Sequence, residues 1–156
     1  IIIEEPRWQH RHLKTLKQAY AKAPYFTTYI NEIEKMITGA QSALGLFNST
    51  FNQWTAFKLG ITTPFVYSSQ LDKKEGAHKT QRLIEILKAI KATSYLSGMG
   101  ARHYLDPTQF MSHEVKWQEF EHPVYAQQSI SFMPNMSALD LLFNEGPQAQ
   151  RFFTKT

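Results

Sequence analysis

Residues 93 to 105, Thr-Ser-Tyr-Leu-Ser-Gly-Met-Gly-Ala-Arg-His-Tyr-Leu, decide the fold. A short apolar run breaks at Ser97-Gly98-Met99-Gly100 and resumes as an expected helix. Such a break is where a strand of an α/β sheet would hand over to a helix, with glycines free to take positive φ and helical N–H groups free to face an anion. A lone Gly-x-Gly also marks an ordinary strand-to-helix turn, so its neighbours must carry the argument.

Working upstream, Leu83, Ile84, Leu87 and Ile90 recur at helical spacing among Lys79, Arg82, Glu85, Lys88 and Lys91, which predicts an amphipathic helix. Before it, Asp72 to His78 reads as a polar loop, and Pro64-Phe-Val-Tyr-Ser-Ser69 is short and partly β-branched or aromatic, the pattern of a buried strand. Strand, helix, strand predicts a right-handed βαβ unit with Ser69 and Ser97 emerging side by side at the sheet edge where ligands bind. Downstream, Asp106-Pro107 opens a short helix through Phe110 and Met111, and Val115 to Phe120 forms a further strand that ends in an extended turn at His122-Pro123-Val124-Tyr125. Ser137-Ala-Leu-Asp140 is a capping-box variant that makes Asp140 structural, Gly146-Pro147 stops its helix, and a last short helix holds Phe152 and Phe153.

The first third reads as three helices. Pro6 opens one whose apolar stripe is Trp8, His12, Leu16, Ala19 and Ala23, with Arg7, Arg11, Lys14, Gln18 and Lys22 on the solvated side. Tyr25, Phe26, Tyr29, Ile30, Ile33 and Ile37 predict a second, ending near Gly39. Leu44, Phe47, Phe51, Trp54 and Phe57 predict a third, closed by Gly60 as a left-handed cap. The expected fold class is therefore α/β: a small, mostly parallel sheet flanked by helices in a single domain. The opening Ile1-Ile2-Ile3 reads as a strand entered midway, so one or more N-terminal strands are expected upstream.

A chain of 156 residues with 42% hydrophobic content suits one core. Its net charge of +4 mildly favours anionic ligands, and with no dense basic block nucleic acid is not an expected partner. The absence of cysteine excludes disulfides, thiolate metal sites and a cysteine nucleophile, and fits a reducing, cytoplasmic setting. No apolar run approaches the ~18 residues of a membrane span. His10 and His12 point to different helix faces and no His-Glu-x-x-His occurs, so no metal site is expected. Ser97 with His103, His122 and Asp106 allows a serine-nucleophile reading, but the Gly-x-Ser-x-Gly elbow is missing.

Several blocks together resemble the WbqC-like family of bacterial proteins. They are Trp8 with His12, Tyr20-Ala-Lys-Ala-Pro-Tyr-Phe26, Leu59-Gly-Ile61, Ser68-Ser69, Tyr95-Leu-Ser-Gly-Met-Gly-Ala101, Tyr104-Leu105, Trp117-Gln118 with Phe120, His122-Pro-Val-Tyr-Ala-Gln127, Phe132-Met-Pro134 and Ser137 to Gly146. Family members typically begin with a Gln-Pro-rich, aromatic strand and turn that has no counterpart before Ile1. The resemblance implies a role in O-antigen and other surface-polysaccharide synthesis, with transfer of an acyl, aminoacyl or glycyl, or nucleotidyl group from an anionic donor to an amino-sugar acceptor. No cofactor is evident beyond a nucleotide or other phosphorylated donor.

Such a transfer needs an anion cradle, a base for the acceptor and polar groups to orient the ligand. Ser97, Gly98 and Gly100 are the candidate cradle, with Arg82 or Arg102 as the cation. His12 or His122 is the candidate base. Asn48, Ser68, Ser69, Tyr104, Tyr125 and Gln127 complete the candidate ligand contacts. The alternative is a non-catalytic glycan- or protein-binding module that presents Tyr25, Tyr29 and Tyr125 on its surface. Oligomeric state is not legible.

Overall fold

The segment Ser137-Ala-Leu-Asp-Leu-Leu-Phe-Asn-Glu145 places apolar side chains all round a helix, a pattern that forms only where the helix is enclosed. In the computed structural model, which describes residues 1–5, 7–40, 43–71 and 76–153, Leu139, Leu141, Leu142 and Phe143 of this helix are all buried. The expected start of a helix at Pro6 and most of the expected loop 72–78 fall on residues outside those described.

The chain forms two compact units. One comprises residues 1–63 and 122–156, the other 64–121. The first contains α1 (Trp8–Tyr20), α2 (Phe26–Thr38), α3 (Leu44–Lys58), α5 (Ala138–Glu145) and a 3-10 helix, Gly146–Phe152. Its core joins Leu13, Tyr29, Ile33, Ile37, Leu59 and Tyr125 to the apolar face of α5. Ile2 makes a single antiparallel bridge with Ala43.

Two turn positions are set by backbone chemistry. Gly60 has φ +73, its N–H donates to Phe57 O, and the N–H of Ile61 reaches back to Ala56 O, the paired bonds that close a helix with a left-handed residue. Gly146 ends α5 with φ +58 and ψ −136, and a Cβ there would stand 2.4 Å from the ring of Tyr25. Both glycines occupy the stop positions that the sequence assigns them.

The second unit holds α4 (Lys79–Ala89) and two parallel strands, β1 (Ser94–Gly98) and β2 (Glu114–Gln118), in the register Tyr95↔Val115 and Ser97↔Trp117. The α/β class and parallel pairing expected from the sequence are thus present, but the pair is differently composed. Residues 64–67 join no ladder, Ser68–Gln70 is a 3-10 turn, and Phe65, Val66 and Tyr67 are all more than 40% exposed. Strand propensity reflects fit to a half-buried surface, and among the described residues no neighbouring strand supplies one here. The parallel partner of β1 is instead β2. The crossover 99–113 consists of two 3-10 helices, Met99–His103 and Pro107–Phe110, where the sequence predicted helices. Asp106 caps the second: its carboxylate accepts from the Thr108 hydroxyl at 2.6 Å, from Gln109 Nε2 at 2.9 Å and from Thr108 N at 3.0 Å, and these hydrogen bonds, the Thr108 hydroxyl first, hold its carboxyl below the usual carboxylate range.

The face of the pair that carries Tyr95, Ser97, Val115 and Trp117 turns inward, and Tyr95 stacks on the buried Phe110 at 5.6 Å. Ile84, Leu87, Leu105 and Phe110 form the core beneath it. α4 closes with the same bonds as α3, Lys91 N to Lys88 O and Ala92 N to Leu87 O, yet its left-handed residue is Lys91, at φ +54.

These geometries predict opposite effects at the two helix ends. Gly146→Ala should lower unfolding free energy by about 2 kcal/mol or more, because it combines a forbidden backbone with overlap of the Tyr25 ring. Lys91→Gly should raise it by up to about 1 kcal/mol by relieving left-handed strain. Urea denaturation of each variant measures both.

Candidate functional site

α1 sets out the first part of the site. Its fully buried residue is Leu13, while His12 and Ala19, placed on the apolar stripe by sequence spacing, are exposed. Trp8, Leu16 and Ala23 keep their places against the core, while Leu13 and Tyr20 turn inward in place of His12 and Ala19, which keeps an imidazole out of hydrocarbon, where it would lack partners. His12 stands beside the half-buried Trp8, ring centroids 5.5 Å apart and nearly perpendicular. Its Nδ1 lies 3.0 Å from Trp8 O. A carbonyl has no proton to give, so Nδ1 donates and Nε2 carries the lone pair of the neutral ring.

Glu5, Trp8, Arg11, His12, Thr15 and Leu16 line a groove of about 480 Å³ along this side of α1. Trp8 is held from behind by Phe47, edge to face at 5.1 Å. Arg11 lies 3.7 Å from Glu5, with 71% of its side chain exposed. Trp8 packs against the core as the sequence predicts; the groove was missed because Arg11 was assigned to a solvated stripe. The available signal was the Trp8-x-x-x-His12 spacing, which sets two rings on adjacent turns of one face.

The other candidates of this unit divide differently. Asn48 is exposed on α3. His122 is half-buried, its Nδ1 donating to Pro123 O at 2.9 Å, with Phe132 5.9 Å away ring to ring. Tyr125 is buried and its hydroxyl donates to Asp140 Oδ2 at 2.8 Å. Gln127 Nε2 donates to the same oxygen at 2.9 Å and to Met133 O at 3.0 Å, while its Oε1 accepts from Met133 N at 2.7 Å. Tyr125 and Gln127, expected as ligand contacts, both hydrogen-bond to Asp140.

Asp140, read from the sequence as a cap, is the centre of that network. The Ser137 hydroxyl does cap α5, accepting from Leu139 N at 3.2 Å. Asp140 turns inward rather than back toward Ser137, and it is 5% exposed with no ion pair among the described residues. Burial first, and then the adjacent carboxylate, push both Tyr20 and Tyr125 up to about 12. The surface aromatics of a binding module are likewise not where sequence placed them, since Tyr29 and Tyr125 are core residues and Tyr25 packs on Gly146.

In the second unit, Ser97 is 3% exposed and its hydroxyl lies 3.5 Å from Gly98 O, too long for a strong bond. Gly98 has φ −67, and neither it nor Gly100 is among the left-handed glycines, so that turn does not use their conformational freedom. Both are exposed with open space where a Cβ would stand. The Arg102 guanidinium lies over Trp117, 5.1 Å from the ring centroid. Tyr104 is 75% exposed. Arg82 and Ser69 are exposed and Ser68 is half-buried. The pairing of Ser69 with Ser97 at one sheet edge falls with the missing strand. Among the described residues no group of three His, Asp or Glu could hold a metal ion, and no helix is long and apolar enough to cross a membrane.

The model of the WbqC-like protein family matches residues 1–152, and the chain belongs to that family. It is 31% identical over 152 residues to the uncharacterized protein Rv1507c of Mycobacterium tuberculosis, an alignment that covers 95% of this chain and 65% of that relative. The chain thus spans just under two thirds of that relative's length. No solved structure matches it.

The raised tyrosines have a definite consequence for stability. Their folded values lie above the ordinary 10.0, so the protonated phenols contribute fully below pH 10 and the contribution is lost as pH rises through about 12. Phenolate absorbance of the native protein should show these two ionising last, and both should return to ordinary behaviour on unfolding. Tyr125→Phe, which leaves a buried carboxylate one donor short, should cost about 1–3 kcal/mol in denaturant unfolding.

Proposed function

We propose that the chain is a cytoplasmic transferase of bacterial surface-polysaccharide synthesis, in which His12 is the base that deprotonates an amino-sugar acceptor. The carrying observation is the 3.0 Å bond from His12 Nδ1 to the Trp8 carbonyl. It sets the tautomer that a general base needs, with the Nε2 lone pair on an exposed ring beside a groove large enough for a sugar. The acceptor amine attacks the acyl carbonyl or phosphoryl group of an activated donor. Its N–H proton passes to His12 Nε2, and the donor's phosphate-bearing leaving group departs with the bonding pair. The family's association with O-antigen and related genes supports the polysaccharide setting, and the mild positive charge of the chain favours an anionic donor.

The test is turnover of amino-sugar nucleotides with acyl, aminoacyl and nucleotidyl donors, the products weighed by mass spectrometry. His12→Gln should reduce turnover by about a hundredfold or more. Undiminished turnover in that variant removes His12 from the chemistry, and saturable glycan binding without turnover of any donor favours a binding module.

A further inference from the structure

The groove on α1 has the makings of a sugar subsite with a preference for charge. Trp8 meets two rings edge to face, Phe47 at 5.1 Å and His12 at 5.5 Å, so its indole cannot turn freely. With Leu16 it gives the groove a fixed apolar wall. The C–H face of a pyranose is the apolar part of an otherwise polar molecule, and a rigid aromatic surface takes it with little loss of side-chain freedom. Thr15 adds to this wall, because its hydroxyl already donates to Arg11 O at 2.9 Å.

Arg11 supplies the other half. Its 3.7 Å separation from Glu5 is far longer than the 2.7–2.9 Å of a committed charge-assisted bond, and its side chain is 71% exposed. Among the described residues Glu5 is its only ion-pair partner, so most of its five N–H donors can face a planar anion. Glu5 can accept from ring hydroxyls at the same end, leaving the anion to Arg11.

We propose that this groove binds a hexose bearing a carboxylate or phosphate, its ring on Trp8 and its anion on Arg11, so that the acceptor enters as a charged sugar. This rests on the reading of His12 as the base in the same groove. It narrows that reading from amino sugars in general to those carrying a negative group.

Calorimetric titration of the purified chain at low salt tests it with N-acetylglucosamine 1-phosphate, glucuronate, neutral N-acetylglucosamine and inorganic phosphate. Both charged sugars should bind more tightly than the neutral sugar, and inorganic phosphate most weakly. Arg11→Gln, at an exposed position, should weaken the charged sugars by about two- to fivefold and leave the neutral sugar unchanged. Trp8→Leu should abolish binding of all three sugars, while Trp8→Phe, which keeps an aromatic wall and the contact with Phe47, should retain it. Equal affinity for charged and neutral sugars, inorganic phosphate as tight as the sugar phosphate, or wild-type affinity in Arg11→Gln would each overturn the proposal. Charged-sugar binding that depends on Trp8 and Arg11 but yields no turnover would sink only the reading of His12 as a base. Turnover that needs His12 yet is indifferent to Trp8 and Arg11 would sink only this inference.

Discussion

A carboxylate buried with no ion pair among the described residues is the constraint around which the first unit is arranged. Asp140 sits in the first turn of α5 at 5% exposure, and an isolated charge there would cost many kcal/mol were it not hydrogen-bonded. Tyr125 and Gln127 meet that need with bonds of 2.8 and 2.9 Å, and bonds to a charged group are each worth about 1.5–3 kcal/mol. The helix N-terminus itself adds a favourable field. Gln127 also grips Met133 at both its N–H and its carbonyl, so one acidic residue fixes the 125–133 segment against α5.

Once α5 is pinned at that end, its other end follows. Gly146 turns the chain with a backbone that only glycine tolerates, bringing it against Tyr25, whose N–H donates to Phe143 O at 2.9 Å. Leu142 and Phe143 are then fully enclosed, and Tyr20 and Phe26 pack on the Phe143 ring at 4.9 and 5.4 Å. The exposed groove of α1 depends on the same packing, since Leu13 must face this core for His12, the next residue back, to face solvent.

The helices were legible because they obey one local rule, an apolar residue every third or fourth position. Tyr29, Ile30, Ile33 and Ile37 of α2 are buried as that rule requires, and Gly60 and Gly146 stop their helices where turn chemistry demands. Where spacing misled, the error was small in sequence and large in consequence. In α1, Leu13 took the place expected for His12, which moved to the surface, and Phe57, placed on the α3 face, is 73% exposed while Leu59 is buried. The candidate site was less legible. Its residues do not lie on one continuous element, and Ser97, Tyr125 and Gln127 carry polar groups whose direction no local pattern records.

The sequence by itself determined the helices, their stops, the strand at Ser94-Tyr95-Leu96 and the α/β class, because propensity, periodicity and turn chemistry act over a few neighbouring residues. Only the tertiary structure decided which strand pairs with β1, whether Pro64 to Tyr67 pairs at all, and what Asp140 bonds to. Those outcomes depend on groups brought together from far along the chain. A strand needs a partner edge and a buried carboxylate needs donors, and neither requirement is written in the residues beside it.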